Sequence, residues 1–530
     1  MSRTSLTSSR RTGRSTLALL AASALALSAC SGGSDDGAST SSPVGSQPSS
    51  GAATTSGSSS AGAADPAKAL EKFYTQKLTW GDCEGVKCAK LTVPVDYADP
   101  GGQTIQLALS KVAAKGKAKG SLVVNPGGPG ASGYDYGAMA DGVVTPKVLE
   151  SFDVVGFDPR GVGRSAPITC ASDAEMDTML GIDPTPDDKT EQSSVQKSVG
   201  TFAQACKDKA GPLLGHVSTV EVAKDLDVLR AALGSEKLDY LGFSYGTFIG
   251  STYADLFPQR VGRFVLDGVV PPDVTSQEMN LGQATGFEAA TRSYVEDCVS
   301  KGDCYLGSTV DAGMQRIRTF LKQLDAKPLP ISGEGPVTRF TEGWATLGLA
   351  LGFYSKASWP SLTEALKAAM GGDPKPLMAM ANQYAGRQAN GAYRDNSMQA
   401  FYAVSCLDRK ASNNLDEYAK DATEFAKKAP TWGNMLAWGS LTCGEWKVPA
   451  TGKQKKVTAD GTGPILVIGN TRDPATPLAF AQRLAKDLKH ARLLTFDADG
   501  HTAYGQSECV NDAVDGYLLN GTLPPDGQTC

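Results

Sequence analysis

Short apolar runs alternate with amphipathic stretches along much of the chain, which is typical of a protein built from alternating strands and helices. Apolar runs predict buried strands at residues 91–95, 104–112, 121–125, 152–157, 238–241, 263–270, 464–469 and 492–496. Apolar positions at helical spacing predict helices at residues 220–233, 247–257 and 477–488. Repeated strand–helix units predict an α/β fold with a mostly parallel sheet, whose first two strands form an antiparallel edge. Ligands of such sheets bind at the carboxyl ends of the strands.

The pattern changes in the middle of the chain, where helical periodicity replaces the strand signals between residues 271 and 461. Helices are predicted at residues 312–324, 359–369 and 415–428, and five of the six tryptophans fall in this region. Strand signals then return, so we interpret the region as a helical cap inserted into a sheet domain. The predicted domains are a first part of the sheet domain at residues 66–272, the cap at residues 273–460 and a second part of the sheet domain at residues 461–530.

Residues 1–29 predict an export signal. Four arginines precede an apolar run at residues 17–29, which is too short to span a bilayer as a helix of the mature protein. The run ends in the sequence LSAC, which resembles the bacterial lipobox, and we predict that its cysteine, Cys30, carries a lipid. An ordinary secretory signal is the alternative. The pair Arg10 and Arg11 leaves both the general and the twin-arginine export routes open.

Residues 30–65 consist almost entirely of serine, glycine, threonine, alanine and proline. A segment of this composition buries too little apolar surface to fold, so we predict a flexible tether. Together with a lipid on Cys30, the tether would hold the rest of the chain on the outer face of the cell membrane. Cleavage of the tether would release the protein outside the cell.

Charge and composition narrow the classes of function. The chain has 530 residues, with 51 basic and 56 acidic side chains, a net charge of −5 and no basic block beyond its N-terminus. This balance argues against a nucleic-acid partner. Only three histidines occur, His216, His490 and His501, so a mechanism that needs a histidine has few candidate positions. We expect the protein to be a monomer.

Eleven cysteines are present, and all but Cys30 fall in pairs of near neighbours along the chain. An even number of cysteines in an exported chain predicts disulfides. Pairing of sequence neighbours would join Cys83 with Cys88, Cys170 with Cys206, Cys298 with Cys304, Cys406 with Cys443, and Cys509 with Cys530. Zinc binding is the alternative, but the spacings lack C-x-x-C pairs and nearby histidines, so we expect no metal.

The turn after the predicted strand at residues 238–241 contains the strongest candidate for chemistry. It reads GFSYG and matches the pattern G-x-S-x-G between a strand and a helix, with the serine at position 244. In such a turn the serine adopts a strained backbone conformation, and the glycines make room for the tight crossing from strand to helix. The turn exposes the hydroxyl at the N-terminus of the helix, so we predict that Ser244 is a nucleophile. An ordinary glycine-flanked turn is the alternative.

A serine nucleophile needs a base, and an acid that orients the base. In one common arrangement the chain order is serine, then aspartate or glutamate, then histidine. His501 follows the last predicted strand and is the candidate base, whereas His490 lies at a polar helix end and His216 precedes a helix. Asp473 follows the next-to-last strand and is the predicted acid. Asp267, at the end of the strand before it, is the alternative acid.

A glycine-rich turn, NPGGPG at residues 125–130, follows another predicted strand. Consecutive glycines let backbone N–H groups turn toward an anion. We predict that the N–H groups of Gly128 and Tyr245 form an oxyanion hole, and a proline–glycine surface turn is the alternative. The segment DPRGVGRS at residues 158–165 follows the next strand, and its aspartate and arginine are expected to fix loops beneath the site.

Six motifs occur in a family-specific order, at residues 125–130, 158–165, 242–247, 265–268, 473–477 and 500–502. With the tail from Cys509 to Cys530, they resemble the secreted tripeptidyl aminopeptidases of actinobacteria, which are α/β-hydrolases related to proline iminopeptidases. The resemblance covers residues 78–530. It implies an α/β-hydrolase fold and hydrolysis of peptide bonds near a free N-terminus, with release of tripeptides.

The hypothesis is therefore a serine exopeptidase that forms an acyl-enzyme on Ser244 and needs neither a metal nor an organic cofactor. An acid in the cap would hold the α-ammonium group of the peptide substrate at a fixed distance from the serine. Glu342, Glu364 and Asp408 are the candidates, although each is expected to be a solvated surface charge. An extracellular carboxylesterase or lipase would use the same residues and is the alternative. A non-catalytic binding protein on the same scaffold is a third hypothesis.

Overall fold

A computed structural model describes residues 66–530 of the chain. The predicted export signal, the lipidation site at Cys30 and the predicted tether lie outside the described residues, so these interpretations stay predictions.

The strands are β1 (Gly81–Cys83), β2 (Val86–Pro94), β3 (Thr104–Val112), β4 (Gly120–Asn125), β5 (Phe152–Phe157), β6 (Leu238–Phe243), β7 (Val261–Asp267), β8 (Leu329–Glu334), β9 (Val337–Phe340), β10 (Ile465–Arg472) and β11 (Ala491–Asp499). The helices up to the end of β7 are α1 (Pro66–Tyr74), α2 (Gly133–Ala138), α3 (Ala140–Val143), α4 (Pro146–Leu149), α5 (Asp173–Leu180), α6 (Lys189–Ala210), α7 (Thr219–Ala232) and α8 (Tyr245–Leu256). Those that follow are α9 (Ser276–Ser300), α10 (Val310–Ala326), α11 (Glu342–Phe353), α12 (Trp359–Met370), α13 (Lys375–Ala385), α14 (Ser397–Asp408), α15 (Leu415–Lys428), α16 (Gly433–Ala437), α17 (Leu441–Gly444), α18 (Leu478–Asp487) and α19 (Glu508–Asn520).

Nine strands form one sheet in the order β1-β2-β3-β5-β4-β6-β7-β10-β11. Pairing is antiparallel from β1 to β5 and parallel from β5 to β11, so the predicted mostly parallel sheet with an antiparallel edge is confirmed. The three-residue strand β1 was not predicted. The strand predicted at residues 263–270 ends earlier, at Asp267, because Gly268 adopts a φ of 71° and turns the chain there.

Helices cover both faces of the sheet. Leu122 and Val124 of β4 pack in one apolar cluster, and Val123 between them packs in another, as expected for side chains that alternate across a strand. The first cluster includes apolar residues of α3, α4 and α19, and the second includes residues of α7, α8 and α18. The result is a three-layered α/β/α domain whose parallel strands end together at one edge.

A long insertion separates β7 from β10, its neighbour in the sheet. Helices α9 to α17 make up most of it, and four of its tryptophans are buried: Trp344, Trp359, Trp432 and Trp438. The insertion also contains an unpredicted two-stranded antiparallel sheet of β8 and β9. Pro330 and Gly333 interrupt the strand pattern of β8. The sheet domain and the insertion fall in one compact unit, and the predicted domain boundaries stay predictions.

Five disulfides join the sequential cysteine pairs that the sequence predicted: Cys83–Cys88, Cys170–Cys206, Cys298–Cys304, Cys406–Cys443 and Cys509–Cys530. The last disulfide holds the C-terminal residues against β11, where Thr495 donates to the Gln528 carbonyl at 3.0 Å and accepts from the Cys530 N–H at 2.8 Å. Among residues 66–530, no helix is both long and apolar enough to cross a membrane.

Candidate active site

Ser244 lies between the end of β6 and the start of α8, at the carboxyl edge of the parallel sheet. Its backbone has φ 54° and ψ −125°, a strained conformation for a residue other than glycine. A Cβ on Gly246 would lie 2.8 Å from the carbonyl oxygen of Asn125, so this position has no room for a side chain. The Ser244 N–H donates to the Asp267 carbonyl of the neighbouring strand β7 at 2.8 Å. These contacts hold the turn in the geometry expected around a nucleophile.

His501 follows β11, and its imidazole contacts the carboxylate of Asp473, which follows β10. The Nδ1 atom lies 2.9 Å from each oxygen of Asp473. This buried carboxylate also accepts hydrogen bonds from the backbone N–H groups of Ala475 and Thr476 and from the Thr476 hydroxyl, each at 2.9 Å. Asp473 is therefore well placed to orient the imidazole, because its own position is fixed by three donors.

Asp267, the alternative acid, does not take this place. Its carboxylate accepts hydrogen bonds from the backbone N–H groups of Ala503 and Tyr504, two and three residues after His501. Burial raises the pKa of Asp267 to about 6, although the two N–H donors act in the opposite direction. The two carboxylates therefore have different contacts. Asp473 contacts the imidazole of His501, whereas Asp267 binds the backbone of the loop that carries His501.

The charge state of His501 reflects these neighbours. Burial alone would lower the pKa of the imidazole, because it removes water from the charged form. The negative charges of Asp473 and, less strongly, Asp267 outweigh burial, and the pKa of His501 is raised above its ordinary value. An imidazole with a raised pKa is a stronger base, as a proton acceptor for a serine hydroxyl requires.

The Ser244 turn and the loop that carries His501 both contact the end of β7. Asp267 accepts the N–H of Ser244, and a Cβ on the next residue, Gly268, would lie 3.1 Å from Cε1 of His501. Nε2 of His501 is buried and has no hydrogen-bond partner among residues 66–530, so Ser244 does not donate to it in this conformation. Catalytic hydrogen bonds of this kind often form only when substrate is bound.

The glycine-rich turn at residues 125–130 packs directly against the Ser244 turn. Gly127, Gly128 and Gly130 all have positive φ, and a Cβ on Gly127 would lie 2.7 Å from the backbone nitrogen of Tyr245. The Asn125 side chain accepts the Gly127 N–H at 2.9 Å and closes the turn. The two segments that carry the predicted oxyanion donors, Gly128 and Tyr245, are therefore in contact.

The segment at residues 158–165 fixes neighbouring loops, as expected. The buried Asp158 accepts hydrogen bonds from the Ser132 hydroxyl at 2.5 Å and the Arg164 N–H at 2.8 Å. Arg160 is fully buried, pairs with Asp225 at 2.7 Å and donates to backbone carbonyls. These side chains brace the site without belonging to it.

The acids proposed for the cap have unequal surroundings. Glu364 is exposed, whereas Glu342 and Asp408 are buried, so the expectation that each is a solvated surface charge is wrong for these two. Both oxygens of Asp408 are occupied, by the N–H and hydroxyl of Thr219 and by the hydroxyl of Tyr245. Sequence reasoning missed this link to the residue beside Ser244, because nothing local in the sequence signals a contact across 163 positions.

Glu342 belongs to an acidic group in which ligand atoms of Asp183, Asp325 and Glu342 lie within 4.8 Å of one another, close enough to hold a cation. Its carboxylate accepts the Thr185 hydroxyl at 2.6 Å. Burial, with smaller contributions from the two aspartates, raises the pKa of Glu342 to about 8.

The other two histidines take no part in the site. His490 is exposed, and Nδ1 of His216 lies 2.8 Å from Glu221.

Known proteins resemble this chain over most of its length. Residues 429–530 match a family model described as TAP-like protein. The serine protease Hip1 of Mycobacterium tuberculosis is 38% identical over 485 residues, which cover 88% of this chain and 93% of Hip1. Tripeptidyl aminopeptidase of Streptomyces lividans is 34% identical over 474 residues, or 86% of each chain. Carboxylesterase B of Mycobacterium tuberculosis is 35% identical over 457 residues, or 84% of this chain and 86% of the relative.

Identities at this level across nearly whole chains establish common descent, and the resemblance inferred from the six motifs is confirmed. The sheet order and the three-layered architecture agree with an α/β-hydrolase fold. This chain is therefore a hydrolase, and it belongs to the α/β-hydrolase family that includes the serine protease Hip1 and tripeptidyl aminopeptidase.

Proposed function

We propose that the protein is a serine exopeptidase that cleaves short peptides, chiefly tripeptides, from free N-termini. The observation that carries the proposal is the hydrogen-bonded Asp473–His501 pair, which the end of β7 connects to the strained turn at Ser244. The names of two relatives, a serine protease and a tripeptidyl aminopeptidase, support the choice of peptides as substrates.

In the proposed reaction, Oγ of Ser244 attacks the carbonyl carbon of the scissile peptide bond while Nε2 of His501 takes the hydroxyl proton. Asp473 holds Nδ1 and stabilises the imidazolium that forms. The oxyanion receives hydrogen bonds from the N–H groups of Gly128 and Tyr245, each worth about 3 kcal/mol in the transition state. The imidazolium returns the proton to the leaving amine, and an acyl-enzyme remains on Ser244.

Water then completes the reaction. His501 removes a proton from a water molecule, the resulting hydroxide attacks the acyl carbon, and the ester bond to Ser244 breaks. The proton passes from His501 to the serine oxygen, and the peptide leaves with a free carboxylate. Every proton in this cycle moves through Nε2 of His501, and we propose that no metal or organic cofactor takes part.

Selectivity for a free N-terminus requires a negative group that holds the substrate ammonium at a fixed distance from Ser244. Asp408 is poorly suited, since three donors already occupy its carboxylate. Glu342 of the insertion lies beside Asp183 and Asp325, and a bound ammonium group would favour the ionised form of its carboxylate, whose pKa is raised by burial. Glu364, also in the insertion, is freely accessible. We propose that an acid of the insertion acts as this receptor and leave both glutamates as candidates.

Profiling of released peptides tests the proposed function. A mixture of synthetic peptides with free N-termini is incubated with the wild type and with Ser244→Ala. We expect N-terminal tripeptides from the wild type and none from the variant. N-acetylated copies of the same peptides are the control, and equal cleavage of free and acetylated peptides would contradict the exopeptidase assignment.

A carboxylesterase is the second candidate, because carboxylesterase B of Mycobacterium tuberculosis matches the chain as extensively as the peptidases do. The same catalytic residues would serve both reactions. Unactivated short-chain esters and tripeptide anilides separate the two, when kcat/KM is measured for each class with one preparation. Faster turnover of the esters by several orders of magnitude would favour the esterase.

We also propose that the enzyme is exported, anchored by a lipid on Cys30, and monomeric. Five disulfides support export, because such bonds form and persist in oxidising compartments. Incorporation of a labelled fatty acid into the wild type but not into Cys30→Ser tests the anchor. Light scattering on the chain from residue 66 onward, which forms the described fold, tests the monomer.

A further inference from the structure

Asp267 contacts both halves of the site through two different groups. Its backbone carbonyl accepts the N–H of Ser244 at 2.8 Å. Its carboxylate accepts the N–H of Ala503 at 2.9 Å and the N–H of Tyr504 at 2.8 Å. The side chain is fully buried, so these bonds are not shared with bulk water.

The sheet order explains why the histidine loop needs an anchor at this point. His501 follows β11 at the edge of the sheet, whereas Ser244 follows β6, and β10 and β7 lie between them. The loop therefore has to cross the ends of two strands. Asn470 of β10 donates to the carbonyls of Gly500 at 2.8 Å and Thr502 at 2.7 Å. Asp267 of β7 holds the next two residues of the loop.

The two segments that Asp267 binds both contain a residue with a strained backbone conformation. Ser244 has φ 54° and Thr502, directly after His501, has φ 66°. A β-branched residue with positive φ is unfavourable and persists only where neighbouring bonds fix it. Asp267 bonds to Ser244 itself and to the two residues that follow Thr502. Loss of its carboxylate would free the strained segment that carries the imidazole.

We propose that Asp267 is a positioning residue that fixes the His501 loop over Ser244 and adds a second negative charge behind the catalytic imidazole. The proposal rests on the proposed function only in that His501 acts as the base for Ser244. Asp267 does not replace Asp473, which alone of the two contacts Nδ1.

Few ionisable groups surround His501 and Asp267 in the described part of the chain. Asp473, from the segment after β10, and Asp267, at the end of β7, are the carboxylates whose charges raise the pKa of His501. Tyr354, after α11, packs edge-on to the imidazole at 5.2 Å. Burial, followed by the neighbouring Tyr384 of α13, keeps the pKa of Tyr354 well above its ordinary value. Tyr136 of α2 is affected by Asp267 but has a raised pKa chiefly through burial, so both tyrosines stay neutral.

The test compares Asp267→Asn with the wild type over a range of pH. Asparagine keeps one oxygen for the loop N–H groups but removes the charge. Because only the neutral imidazole accepts the serine proton, and the charge of Asp267 raises the pKa of His501, the acidic limb of the pH–rate profile should move to lower pH. The plateau above that limb should fall about 10- to 100-fold, because the imidazole is less well placed.

Asp515→Asn is the matched control. Asp515 is also buried and also holds the histidine loop, since it accepts the hydroxyl of Tyr504 at 2.7 Å and that of Thr145 at 2.7 Å. The charges that raise the pKa of His501 are those of Asp473 and Asp267, and Asp515 is not one of them. We expect this variant to lose stability without any movement of the acidic limb. An unmoved limb in Asp267→Asn would overturn the proposal.

The rate of labelling by a fluorophosphonate is the primary readout, because it reports Ser244 and His501 without a peptide substrate. Wild-type protein that is labelled but releases no peptides would refute the exopeptidase and leave the test of Asp267 valid. Wild-type protein that is not labelled at any pH would refute both.

A measurement on the wild type covers the case in which Asp267→Asn does not fold. The chain has only three histidines, so selective ¹⁵N labelling gives three imidazole spectra. The His501 signals should show a second inflection near the Asp267 pKa of about 6, since the two groups titrate as a coupled pair. A single inflection for His501 would overturn the electrostatic part of the proposal.

Discussion

At the scale of single residues, two strained backbone positions lie at the proposed reacting groups. Ser244, the proposed nucleophile, and Thr502, which directly follows the proposed base His501, are two of the six residues other than glycine with positive φ in the described part of the chain. Each such conformation has an energy about 1–3 kcal/mol above a relaxed backbone. The turn is therefore maintained for the placement of the hydroxyl and at the expense of stability.

Substitutions of Ser244 should separate these two properties. Ser244→Ala and Ser244→Gly should both lose all measurable turnover, because neither has a nucleophile. Glycine adopts positive φ without steric conflict, so Ser244→Gly should be about 1 kcal/mol more stable than Ser244→Ala. Thermal melting of the two variants measures the difference. A glycine variant less stable than the alanine variant would show that Ser244 is not strained.

At the scale of elements, helix α14 connects the insertion to the site at both of its ends. At its N-terminus, a Cβ on Gly130 of the glycine-rich turn would lie 2.3 Å from the Ser397 carbonyl oxygen. At its C-terminus, Asp408 accepts the hydroxyl of Tyr245, whose backbone N–H is the proposed oxyanion donor. One helix of the insertion thus braces both segments of the proposed oxyanion hole.

Tyr245→Phe tests this brace. Removal of the hydroxyl leaves Asp408 with one donor fewer in a buried site and should destabilise the protein by about 1–3 kcal/mol. Because the Tyr245 backbone then loses an anchor, we expect kcat to fall about tenfold with little change in KM. Steady-state kinetics with a tripeptide anilide gives both constants.

Tyr253→Phe on the same helix is the control. Its hydroxyl donates to the buried carboxylate of Asp227 at 3.1 Å, at the end of α8 away from Ser244. A comparable loss of stability with unchanged kcat is expected. If kcat fell equally in both variants, the effect of Tyr245 would be one of general stability.

Elements were predictable where the signal is local. The strands, the Ser244 turn and the glycine-rich turn were read from short stretches, because their residue types are dictated by φ angles and close approach within the turn. The contact between Asp408 and Tyr245 was not predictable, since it depends on how the insertion packs on the sheet domain. The β8–β9 hairpin was missed because proline and glycine mask its alternation.

At the scale of the whole molecule, disulfides tie the insertion together near the site. Cys406 lies in α14, two residues before Asp408, and is joined to Cys443 across 37 positions. Cys298 and Cys304, also in the insertion, are only six positions apart. In the chain-entropy description, the longer loop contributes more stability, about 4 against about 2 kcal/mol.

Replacement of both cysteines of a disulfide by serine should change the free energy of unfolding according to the length of the loop, and kcat according to the position of the loop. Cys406→Ser with Cys443→Ser should lower the free energy of unfolding by about 4 kcal/mol and should also lower kcat, because α14 is loosened. Cys298→Ser with Cys304→Ser should cost about 2 kcal/mol and leave kcat unchanged. Denaturant titration and initial rates measure the two effects, and an unchanged kcat in the first pair would contradict the role assigned to α14.

Each of the two edge strands of the main sheet is protected by a disulfide. β1 is a three-residue strand tied back by Cys83–Cys88, and β11 is covered by the C-terminal residues that Cys509–Cys530 retains. Exposed strand borders invite pairing with other molecules. Reduction of these two disulfides should therefore expose the edge strands β1 and β11 and cause the protein to self-associate. The proposed active site, at the middle strands of the sheet, should still be intact at that stage, so preparations should be kept free of thiols.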